Sequence, residues 1–351
     1  MSSDILIYGA NGYTAELILR LAKNDNATPI VAGRTESKIK LIAEELDLRY
    51  RIFGLDDPAE VDAGLEGCAV VLHCAGPFSR TARAMAEGCI RTKTHYLDIT
   101  GEIEVFELMA GMGEKAKASG VMLMPGTGFD VVPSDCLAAH LKRRMPDAVD
   151  LELAFQGVGK PSRGTAITMV EGIAQGGMIR KDGKMTEVPS AWQTRRMDLG
   201  LGEVDVMTIP WGDVSTAYYS TGIPDIKVFM AADPGLQKLA KFSRYFGWVL
   251  SSRPVQSFLK GKIQSGPAGP SDEERVRSES RLWGKVTNAS GKSMESKLRT
   301  PEGYTLTALT AWAIANRVVA GNAPPGYQTP SMAYGPDFIL DFEGTERSDE
   351  V

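Results

Sequence analysis

The sequence predicts an α/β protein, with a doubly wound parallel sheet in the first 130 residues and a second α+β domain built on a mixed or antiparallel sheet. Three observations lead there. Up to residue 130, short and almost continuously apolar runs alternate with stretches of helical spacing, as expected for strands that are covered on both faces and joined by helices. The first run leads directly into a glycine-rich turn and a helix, which is how dinucleotide-binding sheets begin. Beyond residue 148 the alternation stops, and strand-like runs are joined by turns instead.

In order, the strand runs of the first part are DILIYG at 4–9, PIVAGR at 29–34, RYRIFG at 49–54, AVVLHCAG at 69–76, HYLDIT at 95–100 and VMLMPG at 121–126. Helical spacing follows them, for example over 35–46 and 81–91. In the second part, 149–157 reads as a strand, 164–179 as a helix with glycine interruptions, and 206–232 as strands around a short helix or turn. RLWGKVTN and KSMESKLRT, joined at Ala289, Ser290 and Gly291, read as a β-hairpin. The Gly-, Pro- and Ser-rich stretch 265–274 is a loop, and 305–319 has the apolar spacing of a helix.

Composition narrows the function. The chain has 351 residues, 43% of them hydrophobic and 24% charged, which is near globular averages and long enough for two domains. A net charge of −5 lacks the basic excess of a nucleic-acid binder. The four cysteines, at 68, 74, 89 and 136, form no C-x-x-C pair and no metal-like spacing with the three histidines, which fits a reduced, cytoplasmic setting. The N-terminus has no basic segment followed by an apolar core, and no run reaches the roughly 20 apolar residues of a membrane span. A protein that neither spans a membrane nor is exported is expected.

The opening turn has the spacing G-x-x-G-x-x-A at Gly9, Gly12 and Ala15. Gly9 suits a tight turn, Gly12 lets backbone approach a phosphate, and Ala15 lets the helix pack closely on the strand. Asn11 tolerates a left-handed conformation. A helix N-terminus favours an anion, so Gly9, Asn11, Gly12, Tyr13 and Thr14 are candidate pyrophosphate-binding residues; a purely structural turn is the alternative. At the end of the second strand, where an NAD site places Asp or Glu, stands Arg34. A guanidinium there suits the 2′-phosphate of NADP(H), with Thr35, Ser37 and Lys38 as further donors. The alternative is a solvated arginine at a helix start. Asp56 or Asp57, after the third strand, either borders the adenine or is an ordinary loop acid.

CAGPF at 74–78, HYLDITGE at 95–102, PGTGFDVVPSD at 125–135 and the C-terminal 300–335 carry a further signal. Together with the opening turn they resemble the saccharopine dehydrogenase-like oxidoreductases, whose first domain is of the Rossmann type. The resemblance implies an NADP(H) cofactor, contacted also by Ala75, Gly76, Pro77 and Phe78, for which a βα turn that simply needs Gly-Pro is the alternative, and a return of 305–319 to the cofactor domain. With the hairpin-linked strands of the second part, the expected domains are 1–130 plus 305–351, binding the dinucleotide, and 131–304, serving substrate binding and dimerisation. Expected partners are a small-molecule or acyl substrate and a second copy in a homo-oligomer, a homodimer, with no nucleic acid. The middle of the chain shows no arginine set matched to a dicarboxylate: Arg163, Arg180, Arg195 and Arg196 are present but unplaced.

Three carboxylates are the catalytic candidates. Asp98 and Glu102 stand four apart across a strand end, where they either orient a substrate or shuttle a proton, or else cap helices and tie loops together. Asp130 is the first candidate for orienting substrate, with helix capping as its alternative. Cys74 and His95 read as structural. Two functions follow: an NADP(H)-dependent oxidoreductase acting on a C=N, C=C or C=O group, or a non-catalytic NADPH-binding sensor or scaffold. A last feature is 236–262, where Lys238, Lys241, Arg244, Arg253, Lys260 and Lys262 accompany Phe242, Tyr245, Phe246 and Trp248 with no acid among them. It reads either as an ordinary amphipathic helix or as a weak peripheral membrane or acyl contact.

Overall fold

The computed structural model describes residues 4–157, 161–172, 176–238, 240–241, 244 and 252–350. The chain divides into two compact units, Met1–Val132 with Tyr304–Tyr334, and Pro133–Gly303 with Gly335–Val351. In chain order the strands are β1 (Ile5–Tyr8), β2 (Ile30–Gly33), β3 (Tyr50–Ile52), β4 (Val70–His73), β5 (His95–Asp98) and β6 (Met122–Met124). Then come β7 (Ala148–Gln156), β8 (Gly177–Lys181), β9 (Lys184–Val188), β10 (Thr194–Asp198) and β11 (Glu203–Thr208). The last five are β12 (Asp225–Ala231), β13 (Glu279–Asn288), β14 (Ser293–Pro301), β15 (Gly326–Tyr327) and β16 (Glu346–Glu350).

In the first unit all six apolar runs form strands of one parallel sheet, in the order β15-β6-β5-β4-β1-β2-β3. Their burial follows from their composition: β1, β2 and β4 are buried at every position, as strands covered by helices must be. Helix Tyr13–Asn24 buries Ala15, Leu17, Ile18, Leu19 and Ala22, and helix Phe78–Thr92 buries Ala82, Met85, Ala86 and Cys89. The strand order reverses between β1 and β4, so the chain leaves these neighbours in opposite directions. That switch point opens the ligand crevice of doubly wound sheets. The chain returns to this unit after residue 303: Thr310 Oγ1 donates to the Thr127 carbonyl at 2.7 Å, Trp312 Nε1 donates to Asp25 at 2.7 Å, and β15 pairs with β6.

The second unit is built on a nine-stranded mixed sheet, β10-β11-β12-β7-β13-β14-β16, with β8 and β9 branching from β12. Among the described residues, only β12 and β7 pair in parallel there; the remaining pairs are antiparallel. The expected hairpin is β13–β14, and the strand–helix–strand reading of 206–232 matches β11, helix Asp213–Thr221 and β12.

Two expectations need correction. The helix read over 164–179 ends at Gly172, and from Gly177 the chain is β8, hairpinned to β9 through Asp182 and Gly183 at φ 50° and 75°. Positive φ at both central positions is what a tight hairpin turn requires. The tail 335–351, expected in the first domain, lies in the second unit, where β16 pairs with β14 and Asp337 binds Arg143 and Arg347.

Of the basic segment 236–262, Leu239, Phe242, Tyr245, Phe246, Trp248, Val249 and Leu250 lie outside the described residues. Arg244 donates to the Ser190 and Ala191 carbonyls, and Lys241 to Thr194, so these two cations are engaged within the chain. No helix among the described residues is long and apolar enough to cross a membrane, and no group of His, Cys, Asp or Glu among them is arranged to hold a metal.

Candidate functional site

The site is built from the loops that follow β1, β2, β4, β5 and β6, all on the C-terminal edge of the first unit's sheet. The turn after β1 puts Gly9 at φ +80°, with its N–H on the Ala32 carbonyl at 2.8 Å. A Cβ on Gly9 would lie 2.8 Å from that of Ala75, so the β1 and β4 loops touch through bare backbone. Gly12 is the N-cap of helix Tyr13–Asn24 and supplies no side-chain cap, which leaves the helix start able to receive an anion. Asn11 does not use its left-handed tolerance; positive φ falls to Gly9 instead. The Asn11 side chain reaches towards Gly33, coming 3.8 Å from where a Cβ would stand there.

Arg34 follows β2 directly and is exposed, as are Thr35, Ser37 and Lys38. Thr35 is the N-cap of helix Glu36–Leu46 but makes no side-chain cap bond, and no described carboxylate pairs with Arg34 or Lys38. A cation at a helix N-terminus is unfavourable without an anion to offset it. The Arg34 charge also reaches Tyr8: burial pushes that phenol up to about 12, against the pull of Arg34. Asp57 is accounted for as a helix cap, accepting the Ala59 N–H at 2.9 Å, while Asp56 is exposed.

The loop after β4 carries Ala75, Gly76, Pro77 and Phe78, with a cis bond between Gly76 and Pro77. Its shape is held from beneath. Thr81 Oγ1 donates to the Ala75 carbonyl at 2.8 Å and meets His73 Nε2 at 2.9 Å. His73 is fully buried, and that burial keeps its imidazole neutral, down to about 3. The helix that begins at Phe78 differs from the one at Tyr13 in a decisive way. Its first N–H groups, Phe78 and Ser79, both donate to Glu102, each at 2.8 Å. This helix start already holds a carboxylate.

That contact commits both Glu102 oxygens to backbone donors, which is the tying role weighed against proton transfer for this residue. Asp98 is likewise committed. It is fully buried and accepts from the Tyr96 hydroxyl at 2.6 Å, the Thr100 N–H at 2.9 Å and the Gly126 N–H at 2.8 Å. Burial raises its carboxyl to about 6 even though these donors pull the other way. Asp98 therefore fastens the β5 loop to the β6 loop. His95 is structural as expected, its Nδ1 accepting the Met122 N–H at 3.0 Å. Cys74 is partly buried, and that setting pushes its thiol up, away from reactivity.

Asp130 stands apart from the other two. Its carboxyl makes no hydrogen bond or ion pair with another described residue, and it is half-buried rather than sealed. Burial alone raises it to about 7. It does not cap the following helix, which begins at Val132, so the capping alternative is not realised. The loop that presents it is tightly held: Gly126 sits at φ +72° against Phe106, and the Phe129 N–H donates to Thr307 Oγ1 at 2.9 Å. Val131, next to Asp130, sits at φ +146°, a region β-branched residues avoid and one whose strain is often found at functional sites.

The structure thus brings the Gly9–Thr14 turn, the 75–78 loop, Asp98, Glu102 and Asp130 to one sheet edge, with Arg34, Thr35 and Lys38 following β2 on the same edge. Sequence reasoning missed His73, Thr81 and Thr307. Gly101, the turn glycine between two nominated acids, was visible in the sequence, but its contact with Asp130 was not.

Residues 5–124 match the model of the saccharopine dehydrogenase NADP binding domain. The chain is similar to the human saccharopine dehydrogenase-like oxidoreductase, 25% identical over 183 residues, 46% of this chain and 43% of that one. It is also similar to a trans-acting enoyl reductase of Mycobacterium leprae, 31% identical over 150 residues, 40% of this chain and 36% of that one. The matched stretch is thus less than half the length of these curated relatives. Among solved structures, the L-Glu-forming saccharopine dehydrogenase of Saccharomyces cerevisiae shares the fold at a TM-score of 0.68 and 14% identity, covering 99% of this chain and 100% of that one. The homospermidine synthase of Legionella pneumophila, solved with NAD, aligns at 0.63 and 11%, covering 98% and 91%.

Proposed function

We propose that this chain, whose residues 5–124 belong to the saccharopine dehydrogenase NADP-binding domain family, is an NADP(H)-dependent oxidoreductase acting on a C=N, C=C or C=O group of a small or acyl-type substrate. The observation that carries the catalytic reading is Asp130, a carboxyl free of partners among the described residues and raised to about 7, on the same sheet edge as the cofactor turn. Proton transfer by a group that titrates near the working pH is the efficient kind.

The uncapped start of helix Tyr13–Asn24, with Gly9, Asn11, Gly12, Tyr13 and Thr14, takes the pyrophosphate. Arg34, Thr35 and Lys38 take the 2′-phosphate, which supplies the anion their helix start lacks. Ala75, Gly76, Pro77 and Phe78 border the ribose and nicotinamide. The bound cofactor supplies the hydride. Asp130, in its protonated form, gives its proton to the substrate atom left with the electron pair (the nitrogen, the oxygen or the carbon next to the activating group) and regains one from solvent. Asp98 and Glu102 hold the loops and move no proton. The second unit, Pro133–Gly303 with Gly335–Val351, serves substrate binding and dimerisation, and the four free cysteines fit a cytoplasmic setting. The likeness to a trans-acting enoyl reductase puts enoyl thioesters among the first substrates to try.

Incubating the protein with NADPH and pooled imines, enoyl thioesters and aldehydes tests this reading. Protein-dependent NADPH oxidation is expected, and Asp130→Asn should lower it by roughly 10²–10⁴-fold while leaving cofactor affinity intact. Turnover undiminished by Asp130→Asn would remove the proton-donor role. Binding of NADPH without oxidation in any pool would favour a sensor.

A further inference from the structure

The turn Thr100–Gly101–Glu102 lies directly beside Asp130. A Cβ on Gly101 would fall 2.5 Å from Asp130 Oδ2 and 3.0 Å from its Cγ, so the carboxyl occupies the space where any other residue would have its side chain. Gly101 is not in the left-handed region, so its backbone does not demand glycine. The contact with Asp130 does.

The turn is pinned at both ends. The Thr100 N–H is held by Asp98 Oδ1 at 2.9 Å, and the Glu102 N–H by Thr100 Oγ1 at 3.1 Å. Beyond it, the Glu102 carboxylate holds the Phe78 and Ser79 N–H groups, each at 2.8 Å. From the other side, the Gly126 N–H on Asp98 Oδ1 at 2.8 Å anchors the loop that carries Asp130. One string of hydrogen bonds therefore links the 75–78 loop, the turn at 100–102 and the Asp130 loop.

We propose that Gly101 is a positioning residue for Asp130: the bare backbone of a turn clamped by Asp98, Thr100 and Glu102 forms the wall that shields the carboxyl from water and fixes where it points. No charge enters this account. The neighbouring carboxylates of Asp98 and Glu102 are turned to their own donors, and burial by itself accounts for the raised acid. Holding this wall in place is the work of the two committed carboxylates, Asp98 and Glu102.

This inference extends the proton-donor reading but is measured without turnover. Asp130 is titrated by carbon-detected NMR of its carboxyl in full-length protein, with the resonance assigned by its loss in Asp130→Asn. In Gly101→Ala the new methyl pushes the carboxyl outward into water, and the midpoint should fall by about one unit or more towards the 3.9 of a free aspartate. NADPH affinity and the melting temperature should stay close to wild type. Thr100→Val, which removes the acceptor for the Glu102 N–H without adding bulk beside Asp130, should move the midpoint the same way by less, and it decides the matter if Gly101→Ala does not fold. An Asp130 midpoint unchanged in the folded variants would overturn the proposal, whatever the activity of Asp130→Asn turns out to be.

Discussion

A carboxyl that changes protonation near neutrality leaves its mark on rate and stability together. Asp130 must be protonated to donate, so reductive kcat/KM should be level at low pH and fall about tenfold per unit once pH passes about 7. Its effect on stability follows from proton linkage. The folded carboxyl keeps its proton up to about 7, whereas the unfolded one releases it near 3.9. Between these values the folded state binds the extra proton, so stability is greatest at the acid end and declines as pH rises through the window. Asp98, raised to about 6, acts in the same sense. Asp130→Asn should remove part of this decline and be more stable than wild type at pH 8, by roughly 1–3 kcal/mol; urea melts at pH 5 and pH 8 would read it, and parallel curves for the two proteins would refute it. The sequence nominated all three acids because Asp98, Glu102 and Asp130 stand at strand ends. It could not divide them, since the partners of Glu102 lie 24 and 23 residues away in the chain.

At the scale of elements, two helix starts on one sheet edge have opposite fates. The start at Tyr13 has a glycine N-cap and no side-chain cap, whereas the start at Phe78 is filled by Glu102. Only the first is open to a phosphate. Glu102→Ala would strand two N–H donors at the second start and cost about 1–3 kcal/mol, read as a lower melting temperature; no change in melting would show the contact to be incidental. The elements of the first unit were legible because strands buried on both faces are apolar throughout, and β1, β2 and β4 are. The β8–β9 hairpin was missed although Asp182–Gly183, a strong turn pair, was in view. The apolar spacing of 164–179 runs on through Gly176 and Gly177, and periodicity alone does not separate a helix from a helix followed by a strand.

For the whole molecule, the order of strands in the first sheet decides where chemistry happens, because the switch between β1 and β4 brings the Gly9 turn against Ala75. The helix at 305–319 was legible from its apolar spacing, and its buried face carries Leu306, Ala311 and Ile314; its return to this sheet was implied only by the family resemblance. The departure of 335–351 was not legible. β16 reads ERSDE, with no apolar alternation, and is held by backbone pairing and by ion pairs such as Arg299 with Glu346 at 2.8 Å. Such a strand gives no hydrophobic signal of where it belongs. Along this edge as a whole, the proposed site for NADP(H) rather than NAD(H) rests on an open helix start together with an Arg34 that pairs with no carboxylate among the described residues. Fluorescence titration of the intact protein with NADPH and with NADH, repeated on Arg34→Gln, measures this directly. NADPH should bind more tightly than NADH, and Arg34→Gln should weaken NADPH by about 1–3 kcal/mol while leaving NADH unchanged. Equal affinity for the two cofactors in the unaltered protein, or equal losses for both in the variant, would contradict it.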